Sequence, residues 1–121
     1  MKKIYACLLA IMMMLVGVFT ACDLRSGGLE FKGSPTMQVE YNEYLGYSAT
    51  ITGTVVHNGF ETLSYASVEF SIYDANGNNL GTAMDNINNL KPGDTWRFSA
   101  NLFDFPETRP VRFEFAGFTA W

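Results

Sequence analysis

The sequence predicts an all-β domain, a two-sheet sandwich of six to seven antiparallel strands. Three observations carry this. Apolar and polar residues alternate over successive short runs, most clearly in Val68-Glu69-Phe70-Ser71-Ile72-Tyr73. Gly, Pro and Asn turn signals separate those runs every 8–12 residues or so. Beyond the first 21 residues no stretch shows a helical period.

The chain has 121 residues, room for one domain. It opens with a basic head, Met1-Lys2-Lys3, followed by the uncharged run Ile4 to Ala21. Such a run could just span a bilayer. The basic head and the small residues at the far end suit a secretory signal instead. Phe19-Thr20-Ala21-Cys22 decides between them, because it resembles the bacterial lipoprotein cleavage box. A small residue must precede the Cys for the signal peptidase, and the thiol must receive the diacylglycerol. Phe19 departs from the usual Leu of that box. The expectation is signal cleavage after Ala21 and lipidation of Cys22, ahead of a cleaved soluble protein or an uncleaved anchor. Asp23 would then be an inner-membrane retention cue in some Gram-negative bacteria and would carry no meaning in Gram-positive ones.

This reading also disposes of the cysteines. Cys7 leaves with the signal and Cys22 is acylated, so neither a disulfide nor a thiolate metal pair remains. Packing alone must hold the domain. Losing Lys2 and Lys3 takes the formal net charge from −4 to −6, which argues against nucleic acid or anionic lipid as a partner. Asp23 to Pro35 is rich in turn residues and has no sustained period. It is expected to be a flexible tether with a reach of about 20 Å. The competing reading makes Leu29 and Phe31 an edge strand. The predicted organisation is therefore signal 1–21, lipidated Cys and tether 22–35, and β-domain 36–121.

Within the domain, Met37, Val39 and Tyr41 alternate with polar partners in a first strand. Tyr47 to His57 is rich in β-branched residues, with Ala49, Ile51 and Val55 inward and Thr50, Thr52 and Thr54 outward. The strand from about Thr62 to Asp74 runs into Asn76-Gly77, a pair suited to the positive φ of a tight hairpin. Leu80 to Ile87 has a polar face and is expected at a sheet edge. Lys91-Pro92-Gly93-Asp94 fits a type II turn. Thr95 to Leu102 turns Trp96, Phe98, Ala100 and Leu102 inward, and Val111-Phe113-Phe115 closes the core.

Phe70-x-Ile72-Tyr73-Asp74 resembles the signature of the FxLYD domain family, with Ile72 in place of the usual Leu. Gly53-x-Val55-x-His57-Asn58 lies ahead of it. Asn76-Gly77-x-x-Leu80-Gly81, Leu90-Lys91-Pro92-Gly93-Asp94 and Trp96-x-Phe98 lie behind it. The resemblance covers roughly Tyr47 to Phe118. It implies an immunoglobulin-like sandwich on a secreted or membrane-attached bacterial protein. The family has no established common activity, so no catalytic residue is implied.

Catalysis needs positioned acids, bases or nucleophiles, and this chain is poor in them. The single histidine, His57, stands on the inward parity of its strand end, where a packed or hydrogen-bonded role is expected. Asp74-x-Asn76-x-Asn78 with Asp85 superficially resembles a calcium loop, but Asn79 occupies the Gly position and Asp85 the place of the bidentate Glu. A plain turn is expected there, and no metal site, cofactor or catalytic residue. The remaining lead is aromatic. Tyr41, Tyr44 and Tyr47 are expected to pack at a rim, and Phe103 and Phe105 to tuck under and plug the sandwich's end. Standing out, the same residues would form a contact for an envelope protein or glycan. The functional expectation is a membrane-tethered, non-catalytic binding or assembly module facing the extracytoplasmic side. The alternative is a structural accessory subunit of an envelope complex.

Overall fold

A computed structural model describes residues 28–121. The signal, its cleavage after Ala21 and the lipidation of Cys22 lie outside the described residues. Seven strands follow in order: β1 (Leu29–Phe31), β2 (Thr36–Asn42), β3 (Gly46–His57), β4 (Leu63–Tyr73), β5 (Asn79–Leu90), β6 (Thr95–Leu102) and β7 (Arg112–Ala120). All pairings are antiparallel, along the path β1-β3-β6-β5-β4-β7, with β2 also beside β3. The described chain is all-β.

Two long strands each organise one half. On one edge of β3, β1 pairs with its last residues (Leu29↔His57 to Phe31↔Val55) and β2 with its first (Asn42↔Gly46 to Thr36↔Thr52). The other edge of β3 pairs with β6 from Ala49↔Leu102 to Val56↔Thr95. In the second half, β4 holds β5 on one edge and β7 on the other. The halves join between β5 and β6 at one register pair, Met84↔Asn101. There the Ser99 N–H donates to Asp85 Oδ2 at 2.9 Å, a side chain standing in for a ladder carbonyl.

Side-chain alternation decides which face of each strand is buried. In β6, Trp96, Phe98, Ala100 and Leu102 are buried, while Thr95, Arg97 and Ser99 are exposed. Ala66, Val68, Phe70 and Ile72 are fully buried in β4, and Ala49, Ile51 and Val55 in β3. Each fully buried side chain of Phe or Ile size contributes roughly 1.5–3 kcal/mol. Gly53 shares the inner face of β3 and lies opposite Phe98, whose ring occupies the space where a Cβ would stand. Phe70 and Phe98 stack with ring centroids 5.7 Å apart. Phe31 then bridges the ends of the path, touching Phe70 and Phe98 on one side and Phe115 and Phe118 of β7 on the other.

A bulge lets β7 serve this cluster over its whole length. Glu69 pairs with Gly117 while Phe70 pairs with Phe115, so Ala116 is the extra residue. The shift in phase puts Phe113 and Phe115 before the bulge, and Phe118 and Ala120 after it, against the same core.

Four expectations need correction. Residues 29–35 are not all tether: Leu29 is buried, Phe31 is the aromatic hub, and together they form β1 at the end of the strand path, as the competing reading has it. β5 is not an edge strand. It runs to Leu90 between β4 and β6, paired with β4 along its length and with β6 at the single register pair Met84↔Asn101. The hairpin after β4 has no pair of positive-φ residues. The Gly77 N–H donates to the Asp74 carbonyl at 3.1 Å, and only Gly77 (φ 81) is left-handed, which is a type I turn with a glycine bulge. Val111 is exposed and precedes β7, its N–H bound to the Tyr73 carbonyl at 2.9 Å. The Lys91–Asp94 turn has the expected type II form, with Gly93 at φ 87 and the Asp94 N–H on the Lys91 carbonyl.

Candidate functional site

The loops gather at two ends of the sheet. At one end lie Gly28, the β3–β4 connection, the Lys91–Asp94 turn and Trp121. The β2–β3 turn, the β4–β5 hairpin and the loop from Phe103 to Val111 lie at the other.

His57 knits the first end together. Its buried ring accepts the Gly59 N–H at Nδ1 (3.1 Å), and Nε2 faces the Glu61 carbonyl at 2.6 Å. With Nδ1 accepting, Nε2 carries the proton and donates it to that carbonyl. The His57 backbone N–H donates to the Asp94 carbonyl, and its own carbonyl accepts the Gly93 N–H. Every polar atom of the residue is engaged in holding two connections. The ring therefore offers neither a free base nor a ligand nitrogen.

Asp74 organises the hairpin at the other end. Oδ1 accepts the N–H groups of Asn76 and Asn78, both at 2.9 Å. Oδ2 accepts Asn78 Nδ2 and Thr108 Oγ1, both at 3.2 Å. These bonds, the Asn78 N–H foremost, hold its carboxyl below the ordinary value of 3.8 against the opposing effect of burial. Asp85 does not join it. It pairs with Val68, six residues back along β4 from Asp74, which is roughly 20 Å at the strand rise. Its oxygens take the Asn86 and Ser99 N–H groups instead. The calcium-loop spacing does not converge, and no group of three metal-ligating side chains forms among the described residues.

The aromatic expectations change most. Phe103 is 69% exposed and Tyr44 88%, and Leu45, Phe105 and Tyr41 are exposed beside them. Tyr41 packs on Tyr47, directly opposite in the β2–β3 register, at 4.8 Å. The end is closed by backbone and by proline rather than by phenylalanine. The Tyr47 N–H donates to the Pro106 carbonyl at 3.0 Å. Gly46 (φ 108) passes so close beneath the Phe105 and Pro106 carbonyls that a Cβ would stand 2.9 Å from each. Pro110 is the loop residue that is buried, and it leaves Phe103 and Phe105 outside. Phe105 itself is held at φ 46, a left-handed conformation uncommon for a bulky residue.

Two exposed aromatic residues at the Gly28 end were not singled out from the sequence. Phe60 is 99% exposed on the β3–β4 connection, and Trp121 is 65% exposed, stacked on Tyr65 at 4.6 Å. The only signal for Phe60 is its position in a turn, directly after Asn58-Gly59. No alternation includes either residue.

No family model, curated protein or solved structure matches the chain. Among the described residues no helix is long and apolar enough to cross a membrane.

Proposed function

We propose that this chain is a membrane-tethered extracytoplasmic lipoprotein, acylated at Cys22, whose β-domain is a non-catalytic binding module. Its contact surface is the end formed by Tyr41, Tyr44, Leu45, Phe103 and Phe105. One observation carries the reading: the exposed aromatic groups of two touching loops gather at the end away from Gly28, where the chain leaves toward Cys22. Aromatic rings give a large contact area for little side-chain ordering, and a soluble surface seldom gathers them without a partner. The strained backbone at Phe105 supports the same reading, because such strain concentrates at binding sites.

The reading includes an FxLYD-like domain with immunoglobulin-like sandwich character. It is supported by burial of Phe70 and Ile72, by Asp74 at the hairpin turn, and by ring contacts between the β3–β6 half and the β4–β7 half. The partner class is an envelope protein or a glycan. The non-catalytic character is supported by His57 and Asp74, whose polar atoms are occupied by neighbouring backbone and side chains.

A photo-crosslinking amino acid at Tyr44 or Phe103 in living cells should capture one dominant partner. The same probe at Thr119 on β7 should not. With the probe at Tyr44, Phe103→Ser should sharply reduce capture, and with the probe at Phe103, Tyr44→Ser should do the same, while the urea midpoint stays unchanged. Equal capture at all three positions would remove this end from the reading. Turnover of an envelope substrate by the purified protein, lost on substitution of His57 or one carboxylate, would overturn the non-catalytic assignment.

A further inference from the structure

We propose that the Gly28 end of the domain rests on the membrane surface, with Phe60 and Trp121 seated in the lipid interface. The inference rests on acylation of Cys22 and adds a second, non-covalent contact to it. Chain length is the first argument. Fully extended, the segment from Cys22 to Gly28 reaches at most about 22 Å. The Asn58 N–H donates to the Gly28 carbonyl at 2.8 Å, which places the β3–β4 connection beside the point where the chain departs. A bilayer holding Cys22 therefore always lies within reach of this end. The opposite end is a further β3 length away, about 40 Å for its 12 residues.

The chemistry of that end is the second argument. Phe60 is almost completely exposed, at the lip of an open groove lined by Gly28, Asn58, Gly59, Glu61 and Leu63. Trp121 lies across the start of β4, where its carbonyl accepts the Ser64 and Tyr65 N–H groups and its ring stacks on Tyr65. An exposed phenyl ring and an exposed indole at one end of a domain are side chains that seat well in a membrane–water interface. At this end of the domain, Glu30 beside Asn58, Glu61 on the groove and Asp94 beside His57 outnumber Lys91. The matching surface is therefore a zwitterionic lipid headgroup layer rather than an anionic one.

Two aromatic side chains would not hold a free domain on a membrane, since even a myristoyl chain binds with only about 10⁴ M⁻¹. Tethering changes the arithmetic. A short linker supplies an effective concentration of about millimolar or more, and a weak interfacial preference becomes a standing orientation. Docked in this way, the domain points the Tyr44 and Phe103 end away from the bilayer.

The full chain, purified from membranes and reconstituted into phosphatidylcholine vesicles with brominated acyl chains, tests this. It has two tryptophans: Trp96, buried in the core, and Trp121, exposed. Emission from Trp121 should shift to the blue and fall severalfold, while that from Trp96 stays constant. Trp121→Phe should remove the quenchable fraction. Phe60→Ser should weaken the docked state on the order of tenfold or more. Both variants should keep the wild-type urea midpoint, because neither residue belongs to the core. Protein that floats with vesicles and carries labelled lipid, yet shows no quenching of Trp121, overturns the docking and leaves the anchor intact. Protein that neither floats nor carries label refutes the anchor, and the docking falls with it. A blue shift that grows with protein density, without bromine quenching, means a second copy covers this end and also overturns the proposal.

Discussion

Phe31 and Phe115 meet edge to face with ring centroids 4.9 Å apart, although β1 and β7 stand at opposite ends of the strand path. One side chain from a three-residue strand closes the curl of the sheet. Phe31→Ala should therefore lower stability by about 3 kcal/mol, through lost transfer energy and the void left among four other rings. Lys32→Ala, one residue along and exposed, should change it by no more than about 0.5 kcal/mol. Urea unfolding of the two variants compares them directly. Equal small effects would mean that β1 contributes nothing to the core.

Phe70 and Ser71 test the register of β4. Phe70 is fully buried and Ser71 half-buried on the opposite face. Phe70→Ala should cost about 3–5 kcal/mol, a large share of a small domain's roughly 5–15 kcal/mol. Ser71→Ala should stay within about 0.5 kcal/mol. A larger loss at Ser71 would mean that the strand's two faces are exchanged.

These contrasts also mark what the sequence could disclose. β4 and β6 were legible because strict alternation runs through Val68-Phe70-Ile72 and Trp96-Phe98-Ala100-Leu102, and burial follows that parity. β1 was legible only as the competing reading: Leu29-Glu30-Phe31 is too short for a period to register between Gly28 and Lys32-Gly33, and tertiary contacts make it a strand. β5 resembles an edge because a polar face is all that composition records, whereas its place depends on a single pairing with β6. At the aromatic end, the residues were visible but their direction was not. A proline-bounded loop can bury either its rings or its prolines, and here Pro110 takes the inner position.

Asp74 makes stability sensitive to acid. The Asn78 N–H and its companion bonds depress the folded-state value of the carboxyl below 3.8. A depressed carboxyl stabilises the fold fully above its unfolded value, and that contribution disappears as pH falls through the folded value. The Asp74 contribution should thus be constant from neutral pH down toward 3.8 and be lost progressively below it. Asp74→Asn should be less stable at neutral pH and lose less on acidification. Urea midpoints from neutral pH to about pH 2 give the comparison. Parallel curves for the two proteins would refute the assignment.

Cys22→Ser should abolish incorporation of radiolabelled fatty acid, because a hydroxyl does not replace the thiol in the acyl-transfer step. The variant should also leave the membrane fraction, since two acyl chains anchor a protein stably and none does. Label retained on the serine variant would sink the lipoprotein assignment.

The placement of β1 has a mechanical consequence. β1 enters at Gly28 and runs antiparallel along the end of β3, with Leu29, Glu30 and Phe31 opposite His57, Val56 and Val55. Hydrogen bonds of an antiparallel pair lie perpendicular to the strands. A pull through the chain ahead of Gly28, resisted at the Tyr44 and Phe103 end, is directed along the strand axis. It loads those bonds and the Lys32 bond to Thr54 together, in shear, rather than peeling them one after another. The same force must drag Phe31 out from between Phe70, Phe98, Phe115 and Phe118 before the sheet can open. The ring that closes the fold is thereby also its latch against tension.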